Sequence, residues 1–370
     1  MTDPARPFAP EIVTLFGGAG FVGNHVLGAL LRRNYRVRVA VRRPHLAGNV
    51  RSFGFPGQVH PVQANLRFPD SVRRAVEGAS VVINLVGILR ERGAQTFEAV
   101  HAEGARTVAA AAAEVGARLV HMSALGADLA SESAYARTKA QGEVAAREAR
   151  PDVVIVRPSV VFGGNDGFFN RFAYLARMLP VVPVVGAQTR FQPVFAGDVA
   201  RAVAKAVDGT VAPGVYELGG PEILTLRQVV EYVLRVTERR RAIVDLPFGL
   251  AGIKAGFLEF ADMLTLGLLP DNLIFTRDQV ALLRHDNVVS ERAIAEGRTL
   301  EGLGIAPTAL EAIVPSYLVR YRRRGQFETR RMAPESAAGG SVAAETSGRV
   351  ETDAAAPGER PGGGRVLNPP

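Results

Sequence analysis

The 370-residue sequence contains no cysteine. That absence excludes a disulfide framework, zinc–cysteine sites, iron–sulfur ligation and a cysteine nucleophile. The six histidines show no metal-ligand spacing, so no metal is assigned. Lysine is nearly missing as well. Among 44 basic residues only Lys139, Lys205 and Lys254 are lysines, and the rest are arginine. Nor is charge of one sign concentrated enough for a nucleic-acid surface. The net charge is +8; residues 1–227 hold 26 basic and 18 acidic groups, residues 228–327 add +1, and residues 328–370 add −1. Long hydrophobic runs are also wanting. The stretch Ile12–Leu31 has 20 residues without formal charge, but its five glycines make it a strand ending in a turn, not a membrane span. Met1–Pro10 has prolines and Asp3 where a signal peptide would have a basic region.

The chain is 47% hydrophobic, enough for a sizeable core. Short apolar runs at 12–16, 37–41, 59–63, 81–85, 119–121 and 153–156 alternate with helical patterns at 21–33, 71–77, 96–115 and 134–149. This alternation predicts an α/β fold, a doubly wound parallel sheet covered on both faces. After residue 160 turn signals become dense, and helices at 198–207, 226–235 and 310–322 are separated by short strands such as 215–218. The expected organisation is a flexible lead (1–10), a nucleotide-binding domain (11–160), a smaller mixed lobe (161–327) with segments returning to the first sheet, and a disordered tail (328–370) rich in Gly, Pro, Ala and Ser. The apolar stretch Leu246–Leu269, broken by Lys254, Glu259 and Asp262, suits amphipathic helices that pack internally or rest on a membrane surface.

Gly17, Gly20 and Gly23 are spaced G-x-x-G-x-x-G between the first strand and the first helix, with Phe21 and Val22 in the same turn. One glycine permits the tight turn, the next admits a pyrophosphate, and the third lets helix and strand approach. A purely structural turn is the competing reading. A site for NAD would normally have an acidic residue at the end of the second strand. Here that position reads Val41-Arg42-Arg43-Pro44, and no acid lies between Arg32 and Arg51. Arg42 first, and Arg43 second, suit a 2′-phosphate, so NADP(H) is expected over NAD(H). Arg36 and Arg38, at the strand's start, read as a solvated face. Asn65 and Leu66 fall where an adenine would lie. Leu85, Val86 and Gly87 follow the fourth strand, where the small glycine leaves room for a cofactor.

The fifth strand ends at Ser123, and Tyr135-Ala-Arg-Thr-Lys139 follows. The i, i+4 spacing puts Tyr135 and Lys139 on one helix face. A chain that uses arginine almost everywhere keeps a lysine here, where a compact ammonium could lower a phenol's pKa and donate to ribose hydroxyls. Tyr135 is then the candidate general acid or base, with Ser123 holding a carbonyl oxygen. By itself Y-x-x-x-K is often a chance helical pair.

Taken together, the glycine turn, Ser123, Tyr135–Lys139 and Arg157-Pro158-Ser159 resemble the extended and atypical short-chain dehydrogenase/reductase superfamily. The runs at 157–163, 165–172, 192–199 and 276–280, with Leu303-Gly304-Ile305, resemble the family of nucleotide-binding accessory subunits of respiratory complex I. The resemblance covers about residues 11–325. It implies a Rossmann-type domain with tightly bound NADP(H), Pro158 and Ser159 near the nicotinamide, and complex I subunits as partners. It also implies a peripheral position on the cytoplasmic face of the inner membrane, and leaves a membrane-surface or quinone contact open. One departure stands out. Many active members carry an Asn where this chain has His101, which puts an active proton relay in doubt.

Two functions follow. One is an accessory or assembly subunit of a quinone-linked respiratory complex with a structural nucleotide, supported by the second-lobe runs, the apolar region 246–283 and the basic end Arg320–Arg324. The other is an active NAD(P)-dependent reductase, dehydrogenase or epimerase acting on a small carbonyl, sugar or quinone-related substrate through Ser123, Tyr135 and Lys139. A redox-sensing regulator is a third, weaker reading.

Overall fold

The computed structural model describes residues 11–249 and 276–322. The lead 1–10, the expected tail 328–370, Lys254 and most of the apolar stretch 246–269 lie outside the described residues. The first half runs β1 (Ile12–Phe16), α1 (Phe21–Leu31), β2 (Arg36–Val41), β3 (Val59–Gln63), α2 (Pro69–Val76), β4 (Val81–Asn84), α3 (Glu103–Glu114), β5 (Arg118–Met122), α4 (Ala134–Ala149) and β6 (Val154–Pro158). The second half runs β7 (Val161–Phe162), α5 (Phe169–Met178), β8 (Val181–Val185), β9 (Arg190–Phe191), β10 (Val194–Phe195), α6 (Ala196–Val207), β11 (Gly214–Leu218), β12 (Leu224–Thr225), α7 (Leu226–Val236), β13 (Ala242–Leu246), α8 (Arg277–Leu282), α9 (Glu291–Ala295) and α10 (Leu310–Leu318).

Seven strands form one all-parallel sheet in the order β3-β2-β1-β4-β5-β6-β11. The strand order reverses between β1 and β4, and in such sheets ligands bind beyond the carboxyl ends of strands at that switch point. The runs are apolar on both faces because both faces are covered. On one face Val13 and Leu15 pack with Val26, Leu30 and Val203. On the other, Phe16 packs with Val72, Val82 and Ala109. The one polar residue in β1, Thr14, is fully buried and donates its hydroxyl to the Ala75 carbonyl at 3.0 Å.

The stretch 196–218 does not build the second lobe. α6 buries Val199, Val203 and Val207 in the first core, and β11 pairs in register with β6 as the sheet's edge. A separate core gathers Phe162, Phe169, Phe172, Val184, Val230, Val233 and Leu310. Small sheets β8–β13 and β9–β12 belong to this part of the chain.

Two arginine expectations change. Arg38 is half-buried, and its guanidinium donates to the carbonyls of Ala75 at 2.6 Å and Glu77 at 2.9 Å. It clamps the end of α2 instead of lying on a solvated face. At the basic end, Arg320 donates to the Asn170 amide oxygen, and Arg322 donates to the Val236 carbonyl at 3.0 Å and pairs with Glu238 at 3.2 Å. These two arginines are spent inside the fold; Arg323 and Arg324 lie outside the described residues.

Candidate functional site: the carboxyl edge of the sheet

The glycine turn joins β1 to α1 at the switch point. Gly17 has φ +81°, a conformation that L side chains rarely adopt. A Cβ at Gly23 would stand 2.1 Å from the Gly17 carbonyl oxygen, so only glycine lets α1 pack on its own turn. Gly20 differs. Its φ is −81° and ψ 177°, which any residue adopts, and a Cβ there would be 3.3 Å from the Gly17 oxygen. The residue is exposed, so what a side chain would chiefly fill is the space in front of the turn. The first turn of α1 has no capping side chain and no acidic residue. Its free N–H groups, with the positive helix end behind them, fit a pyrophosphate.

Arg42 and Arg43 follow β2, which lies beside β1. Both are exposed, and among the described residues neither guanidinium is hydrogen-bonded or ion-paired. Asn65 closes a turn after β3: its side-chain oxygen accepts from the Arg67 N–H at 3.2 Å, and its N–H donates to Ser71 Oγ at 3.0 Å. Leu66 is buried against Gly104, where a Cβ would meet it at 3.0 Å. After β4, Leu85 and Val86 line the glycine turn; a Cβ on Gly17 would be 3.1 Å from the Leu85 backbone. Gly87 is exposed, and a Cβ on it would sit 3.2 Å from Lys139 Nζ.

Lys139 is buried, and its ammonium donates to the Met122 carbonyl at 3.1 Å, at the end of β5 next to Ser123. Burial pulls its pKa down to about 8 despite the attraction of Glu143. Ser123 is buried and its Oγ makes no hydrogen bond of good geometry, although the Glu143 carboxylate is near enough to feel its hydroxyl. Tyr135 stands edge-on to His101 at 5.2 Å and to Phe97 at 5.8 Å between ring centres. Burial first, and then the Asp278 carboxylate, push its phenol up to about 12.

His101 occupies a π-helical turn, Glu98–Ala102, which precedes α3 within a segment read as a single helix from sequence. Its Nε2 accepts the Ile88 N–H at 3.0 Å, and Nδ1 lies 3.3 Å from Thr138 Oγ1. The hydroxyl of Thr138 donates onward to the Ala134 carbonyl at 2.7 Å. This network assigns the proton to Nδ1. Burial and then the nearby Lys139 and His121 charges hold His101 neutral, with its pKa lowered to about 2. His101 therefore pins the loop after β4 to α4.

Pro158 ends β6, and Ser159 turns to the second lobe. Its hydroxyl meets the Asn287 backbone oxygen at 3.0 Å and donates to the side-chain oxygen at 2.7 Å. Three partners escaped sequence reasoning. Glu143 is buried and takes two hydrogen bonds from Arg157, at 2.7 and 2.8 Å, and one from Arg147 at 2.9 Å. Burial alone would raise its carboxyl, but the Arg157 bonds and charge hold it below the usual carboxylate range. Its i, i+4 distance from Lys139 was the available signal. Asp278 and Asn287 gave no such signal, because the groups they hold are more than 120 residues away.

The residues fit a bound dinucleotide, and the comparisons agree on the family. The profile described as the NAD dependent epimerase/dehydratase family matches residues 13–219. The chain belongs to that family, whose members share this nucleotide-binding domain. More particularly, it is 31% identical over 320 residues to the NADH dehydrogenase (ubiquinone) 1 alpha subcomplex subunit 9, mitochondrial, of Arabidopsis thaliana, covering 85% of this chain and 79% of that one. It is 33% identical over 317 residues to the protein of the same name from Rattus norvegicus, covering 84% and 80%. Among solved structures, UDP-glucose 4-epimerase of Thermus thermophilus in complex with NAD superposes with a TM-score of 0.53 at 25% identity, covering 64% of this chain and 86% of that one.

Proposed function

We propose that this chain is an NADP(H)-holding accessory or assembly subunit of a quinone-linked respiratory complex, NADH:ubiquinone oxidoreductase, and that its nucleotide is structural. The carrying observation is the state of Tyr135. A catalytic phenol in this arrangement needs a lowered pKa near the working pH. Here burial and Asp278 push it up to about 12, and the Lys139 ammonium is engaged by the Met122 carbonyl. A neutral His101, bonded on both ring nitrogens, stands where active members keep their relay Asn. The names of the relatives support the partner. Free, exposed Arg42 and Arg43 support NADP(H) over NAD(H). The partner complex puts the chain peripherally on the cytoplasmic face of the inner membrane, with the apolar stretch 246–269 as the segment suited to a lipid or quinone contact.

The second reading, an active reductase, dehydrogenase or epimerase, draws on one observation. Ser123 keeps a buried hydroxyl without a well-formed bond beside Lys139, which is what an enzyme would hold ready for a substrate oxygen.

Tyr135→Phe separates the two. The ring contacts persist, so nucleotide content by mass spectrometry and the amount and activity of the respiratory complex should match wild type. A loss as large as that of a deletion would sink the structural reading. Arg42→Ala should lower retained NADP(H) while leaving NAD(H) binding unchanged.

A further inference from the structure

Three loops at the carboxyl edge of the sheet, after β4, β5 and β6, are held by one short segment of the second lobe. Residues 276–287 begin with Thr276, whose Oγ1 accepts the Gln279 N–H at 3.1 Å and starts α8. The segment is anchored to its own lobe by Val280, buried against Val185. Further anchors are Thr189 Oγ1 donating to the Leu283 carbonyl and Arg190 donating to Asp286 from its N–H and Nε, both at 2.8 Å. From that base it reaches outward. Asp278 accepts from Ser133 Oγ at 2.9 Å, from the Ala134 N–H at 2.6 Å and from the Tyr135 N–H at 3.4 Å. Gln279 Nε2 donates to the Leu89 carbonyl at 3.4 Å, in the loop after β4. Asn287 accepts the Ser159 hydroxyl at 2.7 Å and the Val160 N–H at 3.2 Å after β6, and donates to the Leu125 carbonyl at 3.4 Å after β5.

The contact at Asp278 has a specific physical content. α4 carries Tyr135 and Lys139, yet its first turn contains no acidic residue. Ser133 caps one free N–H, that of Ala136. The remaining donors and the positive helix end are satisfied by a carboxylate supplied from 143 and 144 residues away. The start of the site helix is thus complete only when the segment is seated.

We propose that residues 276–287 form a strap whose seating and nucleotide occupancy are thermodynamically coupled, with Asp278 as a positioning residue for α4. The proposal deepens the nucleotide-holding reading above and rests on it. Coupling is reciprocal: a nucleotide that needs ordered β4, β5 and β6 loops favours the seated strap, and the seated strap favours the nucleotide. The strap is therefore the route by which the second lobe senses whether the first is loaded.

The test uses the full chain, its endogenous nucleotide removed, with NADP⁺ and NADPH as added ligands. Hydrogen exchange followed by mass spectrometry should show NADP(H) slowing exchange across 278–287 and at the start of α4, besides the glycine turn. Asp278→Asn keeps the shape and removes the charge. It should weaken nucleotide binding by about tenfold, the size expected for a lost helix cap. Its protection of 278–287 on loading should shrink accordingly. Asp286→Ala loosens only the strap's own-lobe anchor and should give the smaller effect. If wild type binds neither NADP(H) nor NAD(H), the proposed function itself fails. If wild type binds but 278–287 exchanges at the same rate loaded and empty, and Asp278→Asn binds as tightly, the nucleotide-holding reading stands and the strap is refuted.

Discussion

Lys139 and His101 converge on the loop after β4, where a Cβ on Gly87 would stand 3.2 Å from Lys139 Nζ and 3.6 Å from His101 Nε2. Both are buried and both have their charged forms disfavoured. For Lys139 the folded pKa, about 8, lies below the unfolded value of 10.5. Between those values the unfolded chain binds more protons than the folded one, so stability rises with pH across that window and the full cost is felt below it. Lys139→Met should remove this cost. The ligand-free variant is expected to be more stable at pH 7 by about 3 kcal/mol, and its stability should lose the extra rise between pH 8 and 10.5. Chemical denaturation of both proteins across that range checks it; parallel curves would refute the assignment. For His101 the folded pKa is about 2 against 6.5 unfolded, and for His121 it is about 3. As pH falls below 6.5 the unfolded chain takes up protons that the folded chain refuses, so stability falls. Each histidine contributes a slope of about 1.4 kcal/mol per pH unit. His101→Gln keeps an acceptor for the Ile88 N–H, and should flatten the acid limb between pH 4 and 6 by roughly one proton's worth. An unchanged acid limb would mean that His101 is not held neutral.

Among the elements, the glycine turn separates fold from binding. Gly23→Ala drives a methyl toward the Gly17 carbonyl. It should destabilise the chain by about 3 kcal/mol, read as a lowered thermal midpoint, whether or not nucleotide is present. Gly20→Val meets an ordinary backbone conformation and an exposed space. It should leave the ligand-free midpoint within a few degrees of wild type and abolish the upward shift on adding NADP(H). If both variants fall equally without ligand, the turn is structural only. α4 shows the same division. Its spacing was legible, with Tyr135 and Lys139 on one face. Its capping was not, because the acid that completes it belongs to α8. The π-helical turn before α3 was equally hidden. A π turn is defined by backbone hydrogen bonding, which the side-chain pattern of Glu98–Ala102 does not record, and it sets where His101 stands.

For the whole molecule, the +8 charge does not mark one partner-facing surface. Arg33 pairs with Asp208, Arg38 clamps α2, Arg157 and Arg147 neutralise Glu143, and Arg320 and Arg322 tie the last helical turns to the second lobe. Among the described residues no helix is long and apolar enough to cross a membrane. If the chain is an accessory subunit as proposed, its association should be peripheral and reversible. The chain is expected in the membrane fraction at low salt, co-purifying with the respiratory complex, and released by salt or carbonate. Recovery wholly in the soluble fraction at low salt would count heavily against the accessory-subunit proposal.

The sequence by itself determined the parallel sheet, the glycine turn at its switch point and the Tyr135–Lys139 pair. These follow from periodicity and from contacts within four residues, which local spacing encodes. It did not determine what surrounds them. Only the tertiary structure decided that α6 and β11 are the segments that return to the first sheet, turned Ser159 toward Asn287, and set Asp278 on the start of the site helix. Those contacts join residues far apart in the chain, and no local pattern records a hydrogen bond whose donor and acceptor meet only after both lobes have packed.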